Sequence, residues 1–304
     1  MIKNLISMVF LLLSITLTAT AQNERTSTSR WNHSDGAMEL SVTMRNNVRF
    51  NDDYTDVSSI EGDGSLEVLE RREMFSRRLR ITAGSNGQLV RTYSVDGETR
   101  VFDAEGKTWF RKMLAEAVGH GFDARNRAVQ MIRKQGLSAL LNEISRFRSD
   151  YTKRVYLEEA VKNGNLDAGK LQEVLRLMTG NISSDYEKAT FLINTAGASL
   201  NSRNTLWDDY FAAVGTIKSS YEHGRVLEAA LKANPGNKEV LHFMLASAAK
   251  ISSDYERANF LIRVAQVNRQ DQRIRAALIN AVKTISSDHE RGRVLNAVYL
   301  NELK

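Results

Sequence analysis

The sequence predicts an α+β protein, in which an N-terminal antiparallel β meander precedes a C-terminal α-solenoid of two-helix repeats. Two observations lead to this fold class. One short phrase returns five times in the C-terminal part of the chain at intervals of about 34 to 35 residues, the period of a two-helix unit. Between residues 37 and 103, apolar and polar residues alternate with the period of two that half-buried strands show.

The repeated phrase predicts the solenoid over residues 147–304. It reads FRSDYT at Phe147, ISSDYE at Ile182, IKSSYE at Ile217, ISSDYE at Ile251 and ISSDHE at Ile285. Apolar segments at 171–178, 206–214, 240–249 and 274–282 supply the partner helix of each unit. Residues 104–146 also have helical spacing and are predicted to form a divergent leading repeat that joins the solenoid to the β domain.

The polar residues of the phrase fit the start of a helix. Ser184 and Glu187 form an S-x-x-E capping box, in which the serine hydroxyl and the glutamate side chain each accept a backbone N–H. The same pairing recurs as Ser219 with Glu222, Ser253 with Glu256, and Ser287 with Glu290. A row of metal-binding or catalytic carboxylates is the alternative, but helices one repeat apart are spaced by roughly 10 Å, too far to share an ion.

A predicted packing stripe follows each cap. Its members in one repeat are Tyr186, Ala189, Leu192, Ile193 and Ala196. The position of Ala189 is small in the other well-formed repeats as well, which predicts a close approach of neighbouring helices; its equivalents are Gly224, Ala258 and Gly292.

The β domain, residues 37–103, is predicted to contain six or seven short strands. The dipeptides Asn86-Gly87 and Asp96-Gly97 lie between alternating runs and favour two-residue hairpin turns. Six apolar residues are predicted to face its core: Leu66, Val68, Leu79, Ile81, Leu89 and Val90.

The N-terminus has the pattern of a bacterial signal peptide over residues 1–21. Lys3 precedes an apolar stretch, and Ala19-Thr20-Ala21 provides the small residues that a signal peptidase recognises. Residues 22–36 are polar and predict a flexible leader. We therefore expect a periplasmic or secreted protein with no stable membrane insertion after cleavage.

Composition and motifs argue against an enzyme. The chain has no cysteine, and its net charge of +6 is scattered rather than concentrated, which argues against nucleic-acid binding. H-E-x-x-H, G-x-S-x-G, P-loop and G-x-G-x-x-G motifs do not occur, and the five histidines show no ligand spacing. We expect no catalytic residue, no metal site and no cofactor.

The period and the phrase DYEKA, from Asp185 to Ala189, resemble tetratricopeptide-type α-solenoid repeats. The ISSDYE phrase, together with the β-rich front, also resembles uncharacterised exported bacterial proteins. The resemblance covers most of the chain after residue 21, although the tetratricopeptide aromatic and glycine of the first helix are missing and its closing proline appears only as Pro235. It implies an architecture and no reaction.

Two functional hypotheses remain. The first is a non-enzymatic scaffold that binds a protein or peptide of the bacterial envelope through its repeats; the residues suggested to contact the partner are Trp207, Tyr210, His242, Arg273 and Arg275. The alternative is an adhesin-like sensor whose β domain binds an anionic envelope polymer through Arg77, Arg78 and Arg80. Those arginines could instead pair with glutamates of neighbouring strands.

Overall fold

The computed structural model describes residues 27–201, 206–268 and 271–299 of the 304-residue chain. The predicted signal peptide, and the predicted leader as far as residue 26, lie outside the described residues. The described part consists of an antiparallel β domain followed by a long series of helices, so the predicted α+β class and its β-then-α order are confirmed.

The described residues of the β domain form eight strands: β1 (Thr28–Ser34), β2 (Glu39–Arg45), β3 (Val48–Phe50), β4 (Val57–Ile60), β5 (Ser65–Arg72), β6 (Phe75–Ala83), β7 (Leu89–Val95) and β8 (Glu98–Arg100). Six of them make one antiparallel sheet in the order β1-β2-β5-β6-β7-β8, while β3 pairs with β4 in a separate hairpin. Asp96 and Gly97 both have positive φ, as a two-residue hairpin turn between β7 and β8 requires.

One face of the sheet is covered by the helix α1 (Ala104–Gly119). The side chains of α1 that face the sheet are Trp109, Phe110, Met113 and Leu114, and all of them are buried. They share one core with buried residues of the sheet: Leu40, Val42, Leu66, Val68, Leu79 and Ile81. The indole Nε1 of Trp109 donates to Oε2 of the buried Glu70 at 2.6 Å. Helix α1 therefore belongs to the core of the sheet, although its sequence pattern placed it with the leading repeat.

Two expectations for the β domain need correction. The predicted leader is wrong over Thr28–Ser34, because this polar segment pairs along its whole length with β2 and gains ladder hydrogen bonds without an apolar pattern. Val90 is half exposed and does not face the core, since adjacent residues of a strand point to opposite faces. Leu89 packs at the edge of the core.

The remaining helices within the described residues are α2 (Ala124–Gln135), α3 (Leu137–Glu143), α4 (Asp150–Asn163), α5 (Ala168–Asn181), α6 (Asp185–Asn201), α7 (Trp207–Val214), α8 (Ser220–Ala233), α9 (Lys238–Ala248), α10 (Asp254–Val267), α11 (Gln272–Val282) and α12 (Asp288–Tyr299). A 3₁₀ turn at Ile144–Arg146 follows α3. The even-numbered helices stack on one another in sequence order and form one layer, and α5, α7, α9 and α11 form the second layer.

The repeated phrase connects the two layers. Its first residue is buried in every repeat and joins the core of the stack; these residues are Phe147, Ile182, Ile217, Ile251 and Ile285. The serine at its third position caps the helix that follows, as Ser184 Oγ does by accepting the amide of Glu187 at 3.4 Å. The same bond forms at Ser149, Ser219, Ser253 and Ser287.

The aspartate of the phrase joins each unit to the next. Oδ2 of Asp150 accepts the amides of Ser183 and Ser184, both at 2.8 Å. Oδ2 of Asp185 accepts those of Lys218 and Ser219 at 3.0 and 2.8 Å. We call this arrangement the aspartate clamp. Asp254 repeats it on Ser286 and Ser287, and Ser220, which replaces the aspartate, accepts the amide of Ser253 at 3.1 Å.

The second hydrogen bond of the predicted capping box is not formed in the described repeats. In that prediction the amide of each capping serine bonds to the glutamate of its own helix. In the structure that amide donates to the residue at the clamp position of the preceding repeat, as Ser184 does to Asp150. The carboxylate of Glu187 instead accepts a bond from the guanidinium of Arg154 in the preceding repeat.

A partly buried polar contact joins the β domain to the first helices of the stack. Tyr54, between β3 and β4, donates from its hydroxyl to Oδ2 of Asp123 at 2.8 Å, and both residues have positive φ. Arg127 of α2 lies 5.7 Å from the Tyr54 ring and donates to the Tyr156 hydroxyl at 2.6 Å. Non-glycine residues seldom adopt positive φ, so the backbones of Tyr54 and Asp123 are held there at some conformational cost. Their hydrogen bond fixes the geometry of the junction.

Candidate functional site

Four tyrosines in equivalent positions of successive repeats lie on the surface of the stack. Tyr151, Tyr186, Tyr221 and Tyr255 are 48%, 56%, 60% and 56% exposed. In the last unit the position is taken by His289, whose side chain is 81% exposed. We call the four residues the tyrosine row. With helices of a layer about 8–10 Å apart, the row extends over roughly 30 Å.

The start of each helix determines the orientation of these tyrosines. Each one directly follows the clamp residue in the first turn, while the apolar side chains of the same helix point into the stack. Leu192 and Ala189 are buried, as the packing stripe predicted, but the expectation that Tyr186 belongs to that stripe is wrong. The tyrosine lies outside the core because the core-facing arc of the helix begins two to three residues later.

Arginines surround the row. The guanidinium of Arg225 lies 5.9 Å from the ring centres of both Tyr186 and Tyr221, so it stands between two adjacent repeats. Arg154 approaches the ring of Tyr151 at 5.1 Å, and Arg293 approaches Tyr255 at 5.4 Å. Tyrosine and arginine are among the residue types that most often contribute strongly to protein–protein binding.

The residues that the sequence suggested for partner contacts fall into two groups. Trp207 and Tyr210 are buried in the core of the stack, and the Tyr210 hydroxyl donates to the carbonyl of Leu192 at 3.1 Å, so neither is available to a partner. His242 and Arg273 are exposed. Arg275 is half buried and lies over the ring of Tyr299 at 6.0 Å. The tyrosines of the phrase are therefore exposed, whereas Trp207 and Tyr210 of the variable positions are buried.

The arginines of β6 do not form one cluster. Arg77 lies on the helix-covered side, where its NH2 donates to Glu105 of α1 at 2.7 Å. Arg78 and Arg80 lie on the opposite, uncovered side of the sheet and are exposed. Successive strand residues alternate between the two faces, which separates Arg77 from its neighbours. Within the described residues, none of the three arginines pairs with a glutamate of a neighbouring strand, and the bond of 2.8 Å from Arg72 Nε to Glu70 joins two residues of β5 itself.

The uncovered face of the sheet has a shallow depression of about 630 Å³. Arg30, Arg71 and Arg78 line it, together with Glu39 and Glu67. Within the described ranges, none of these three guanidinium groups, nor that of Arg80, forms a hydrogen bond or an ion pair.

Sequence spacing did not reveal a cluster of two histidines and one carboxylate. His33 of β1 meets Glu116 and His120 at the end of α1, and their potential ligand atoms all lie within 4.8 Å of one another. The one sequence signal is the i, i+4 spacing of Glu116 and His120, which places both on one face of a helix. His33 is distant in sequence and reaches them through the fold.

Another buried histidine belongs to the stack. His223 occupies the position that Lys153, Lys188 and Arg257 hold in other repeats, and its Nε2 lies 2.8 Å from Ser247 Oγ. Burial, reinforced by the positive charge of Lys250, lowers the pKa of His223 to about 4. This side chain is therefore neutral at physiological pH and joins α8 to α9 within the unit.

In the part of the chain that the structure describes, no helix combines the length and the apolar character needed to span a bilayer. Comparison of the chain with family models, with curated proteins and with solved structures gives no significant match.

Proposed function

We propose that the chain is a non-enzymatic scaffold that binds a protein or peptide partner through its helical repeats, and that the tyrosine row is the contact surface. The regular exposure of Tyr151, Tyr186, Tyr221 and Tyr255 is the observation that carries this proposal. Four equivalent aromatic rings are kept in solvent by a fold that buries its other repeated apolar residues.

The tyrosine row has properties that favour burial by a partner. A half-exposed tyrosine offers a large apolar surface and a hydroxyl, and it loses little conformational entropy when a partner covers it. Arg225 already lies between two rings, so the row presents a partly ordered surface. A row of roughly 30 Å matches an extended segment of about nine residues at 3.3 Å per residue.

The setting of this function rests on the sequence alone. The signal pattern at 1–21 supports export, and with it a partner in the bacterial periplasm or envelope. The tetratricopeptide resemblance supports a scaffold, because solenoids of this kind present extended surfaces to other chains. The missing catalytic motifs support a role without chemistry.

The test compares partner retention by three forms of the chain that begin at residue 22. The first is the unaltered protein, the second carries Tyr151→Ser, Tyr186→Ser, Tyr221→Ser and Tyr255→Ser, and the third carries Arg78→Ser and Arg80→Ser on the sheet. Each is immobilised, exposed to envelope extract and crosslinked. We expect a protein that the first and third forms retain and the second form loses.

Folding is checked by the melting curve of each form, since the exposed substitutions are expected to leave helicity intact. The retained protein is then purified and titrated against all three forms, so that a direct Kd replaces capture. Equal affinity for the tyrosine variant and the unaltered chain would refute the proposal.

The uncovered sheet face supports a second candidate function, the binding of an anionic polymer. Its support is the set of guanidinium groups at Arg30, Arg71, Arg78 and Arg80, which have no ion-pair partner within the described residues. Such groups bind carboxylates and phosphates well. Titration with polygalacturonate and with polyphosphate distinguishes the two chemistries. Binding that survives in the Arg78→Ser/Arg80→Ser variant would exclude this face.

A further inference from the structure

The cluster of His33, Glu116 and His120 lies where the edge strand β1 meets the end of α1. The two imidazole rings are stacked with their centres 3.9 Å apart, and Nδ1 of His120 lies 3.3 Å from Oε1 of Glu116. All three side chains are partly buried. Trp31 covers the pair from one side, with its ring 6.0 Å from His33 and 6.3 Å from the buried Phe122.

One histidine is already held in an orientation suited to a ligand. Nδ1 of His120 lies 3.0 Å from the backbone carbonyl of Glu116. Because a carbonyl can only accept, Nδ1 carries the proton and Nε2 keeps its lone pair. Metal-binding histidines commonly donate their second nitrogen to a carbonyl in this way, which fixes both the tautomer and the ring orientation.

The donor set indicates the class of ion. Two imidazole nitrogens and one carboxylate oxygen suit borderline transition metals such as Zn²⁺, whereas Mg²⁺ and Ca²⁺ prefer oxygen ligands. Ligand atoms of a tetrahedral zinc site lie about 3.4 Å apart, given bonds of about 2.1 Å. One nitrogen of each histidine and one oxygen of Glu116 already lie within 4.8 Å of one another, and side-chain rotations that turn Nε2 of His120 toward the other two ligands would give that spacing.

We propose that His33, Glu116 and His120 bind one Zn²⁺ or a related divalent transition-metal ion, which fastens strand β1 to helix α1. Three protein ligands leave a fourth position for water. Strand β1 is the edge of the sheet and pairs only with β2 among the described strands, so an ion bonded to His33 gives it a second attachment.

One cation competes for the site. NH1 of Arg148 lies 3.3 Å from Oε1 of Glu116, and the Arg148 side chain is 73% exposed. A divalent ion on Glu116 therefore displaces this guanidinium into solvent at little cost. Removal of Arg148 is expected to leave the site intact and to tighten binding, whereas removal of any of the three ligands is expected to weaken it.

The experiment is a calorimetric titration of the chain, prepared without a histidine tag or chelator, with ZnCl2. We expect one ion per chain and a melting temperature raised by roughly 5 °C or more under saturating metal. His33→Ala, His120→Ala and Glu116→Gln should each weaken binding at least about tenfold. His289→Ala is the matched control, since it removes an exposed histidine elsewhere, and Arg148→Ala should bind more tightly.

Binding with Co²⁺ provides a readout that does not depend on the variants, because nitrogen ligation in a four- or five-coordinate site gives intense visible absorption. The proposal is overturned if the unaltered chain shows no saturable binding at 100 µM Zn²⁺, which is about a hundred times the Kd of a site with micromolar affinity. It is also overturned if folded His33→Asn and His120→Asn variants bind as the unaltered chain does.

Discussion

The β domain and the helical stack join their neighbouring elements by different means. In the sheet the backbone itself makes the inter-strand bonds, so these bonds do not require the side chains of the uncovered face, such as Arg78 and Arg80. In the stack the backbone bonds stay within each helix, and side chains must connect the units. Asp185 does so by accepting two amides of the next repeat.

This difference teaches how to interpret a repeated residue. The aspartate and the tyrosine recur with the same period in the sequence, since Asp185 and Tyr186 are adjacent in the same phrase. The carboxylate of the aspartate is hydrogen-bonded to the next repeat and therefore has a structural role. The tyrosine is largely exposed and remains available to a partner. The environment of the side chain, and not its periodicity, separates the two roles.

The largest effect is expected from breaking the clamp. Asp185→Ala removes two charge-assisted hydrogen bonds and should lower the free energy of unfolding by about 2–3 kcal/mol. Asp288→Ala is the matched control, because Asp288 holds the same position but its side chain is 88% exposed and, within the described residues, pairs with Arg291 of its own helix. Its cost should stay below about 0.5 kcal/mol. Urea unfolding measures both, and equal losses would contradict the clamp.

Acidification should weaken the stack through His223. Its pKa is about 4 in the fold against about 6.5 in the unfolded chain, so between these values the unfolded state binds more protons. The stability is complete above pH 6.5 and declines as the pH falls toward 4, by roughly 2 kcal/mol between pH 7 and pH 5. In His223→Gln this part of the pH dependence should vanish, whereas an unchanged pH profile would show that His223 does not cause it.

Completing the clamp should stabilise the stack. Ser220 holds the clamp position with a neutral hydroxyl, and it accepts one amide, that of Ser253. Ser220→Asp restores a carboxylate that can accept the amides of Ser252 and Ser253, which should raise the free energy of unfolding by about 1 kcal/mol. Chemical denaturation is the measurement, and a lower midpoint than that of the unaltered chain would count against the geometry.

A smaller gain is expected at Gly224. An added Cβ would lie 3.7 Å from Glu256 Oε2, an ordinary contact, and Ala189 and Ala258 fill the equivalent positions. Gly224→Ala should therefore stabilise helix α8 by about 0.5–1 kcal/mol through its lower backbone entropy in the unfolded chain. Thermal unfolding that shows a loss would mean that these helices are packed more tightly than the distances indicate.

Much of the fold could be predicted, because it follows from local pattern. The period of the phrase located the helices, and alternation located most strands. Strand β1 was missed because its polar sequence has no alternation, and only pairing with β2 makes it a strand. The same alternation could have predicted that Arg77 lies on the opposite face of the sheet from Arg78 and Arg80.

The candidate sites could be predicted less well, since they depend on contacts between distant segments. The aspartate clamp joins residues one repeat apart, and no single phrase contains both partners. His33 meets His120 only because β1 lies beside the end of α1. The exposure of Tyr186 depends on where the core-facing arc of its helix begins, and counting apolar residues places that start two to three residues too early.

The most direct test of the division between aspartate and tyrosine is urea unfolding of Asp185→Ala and Tyr221→Ser side by side. Tyr221 is 60% exposed and contacts Arg225 through its ring, so its replacement should change the free energy of unfolding by no more than about 0.5 kcal/mol. Asp185→Ala should cost several times as much. A loss at Tyr221 equal to or larger than that at Asp185 would show that the tyrosines hold the stack together, and the proposed contact surface would lose its basis.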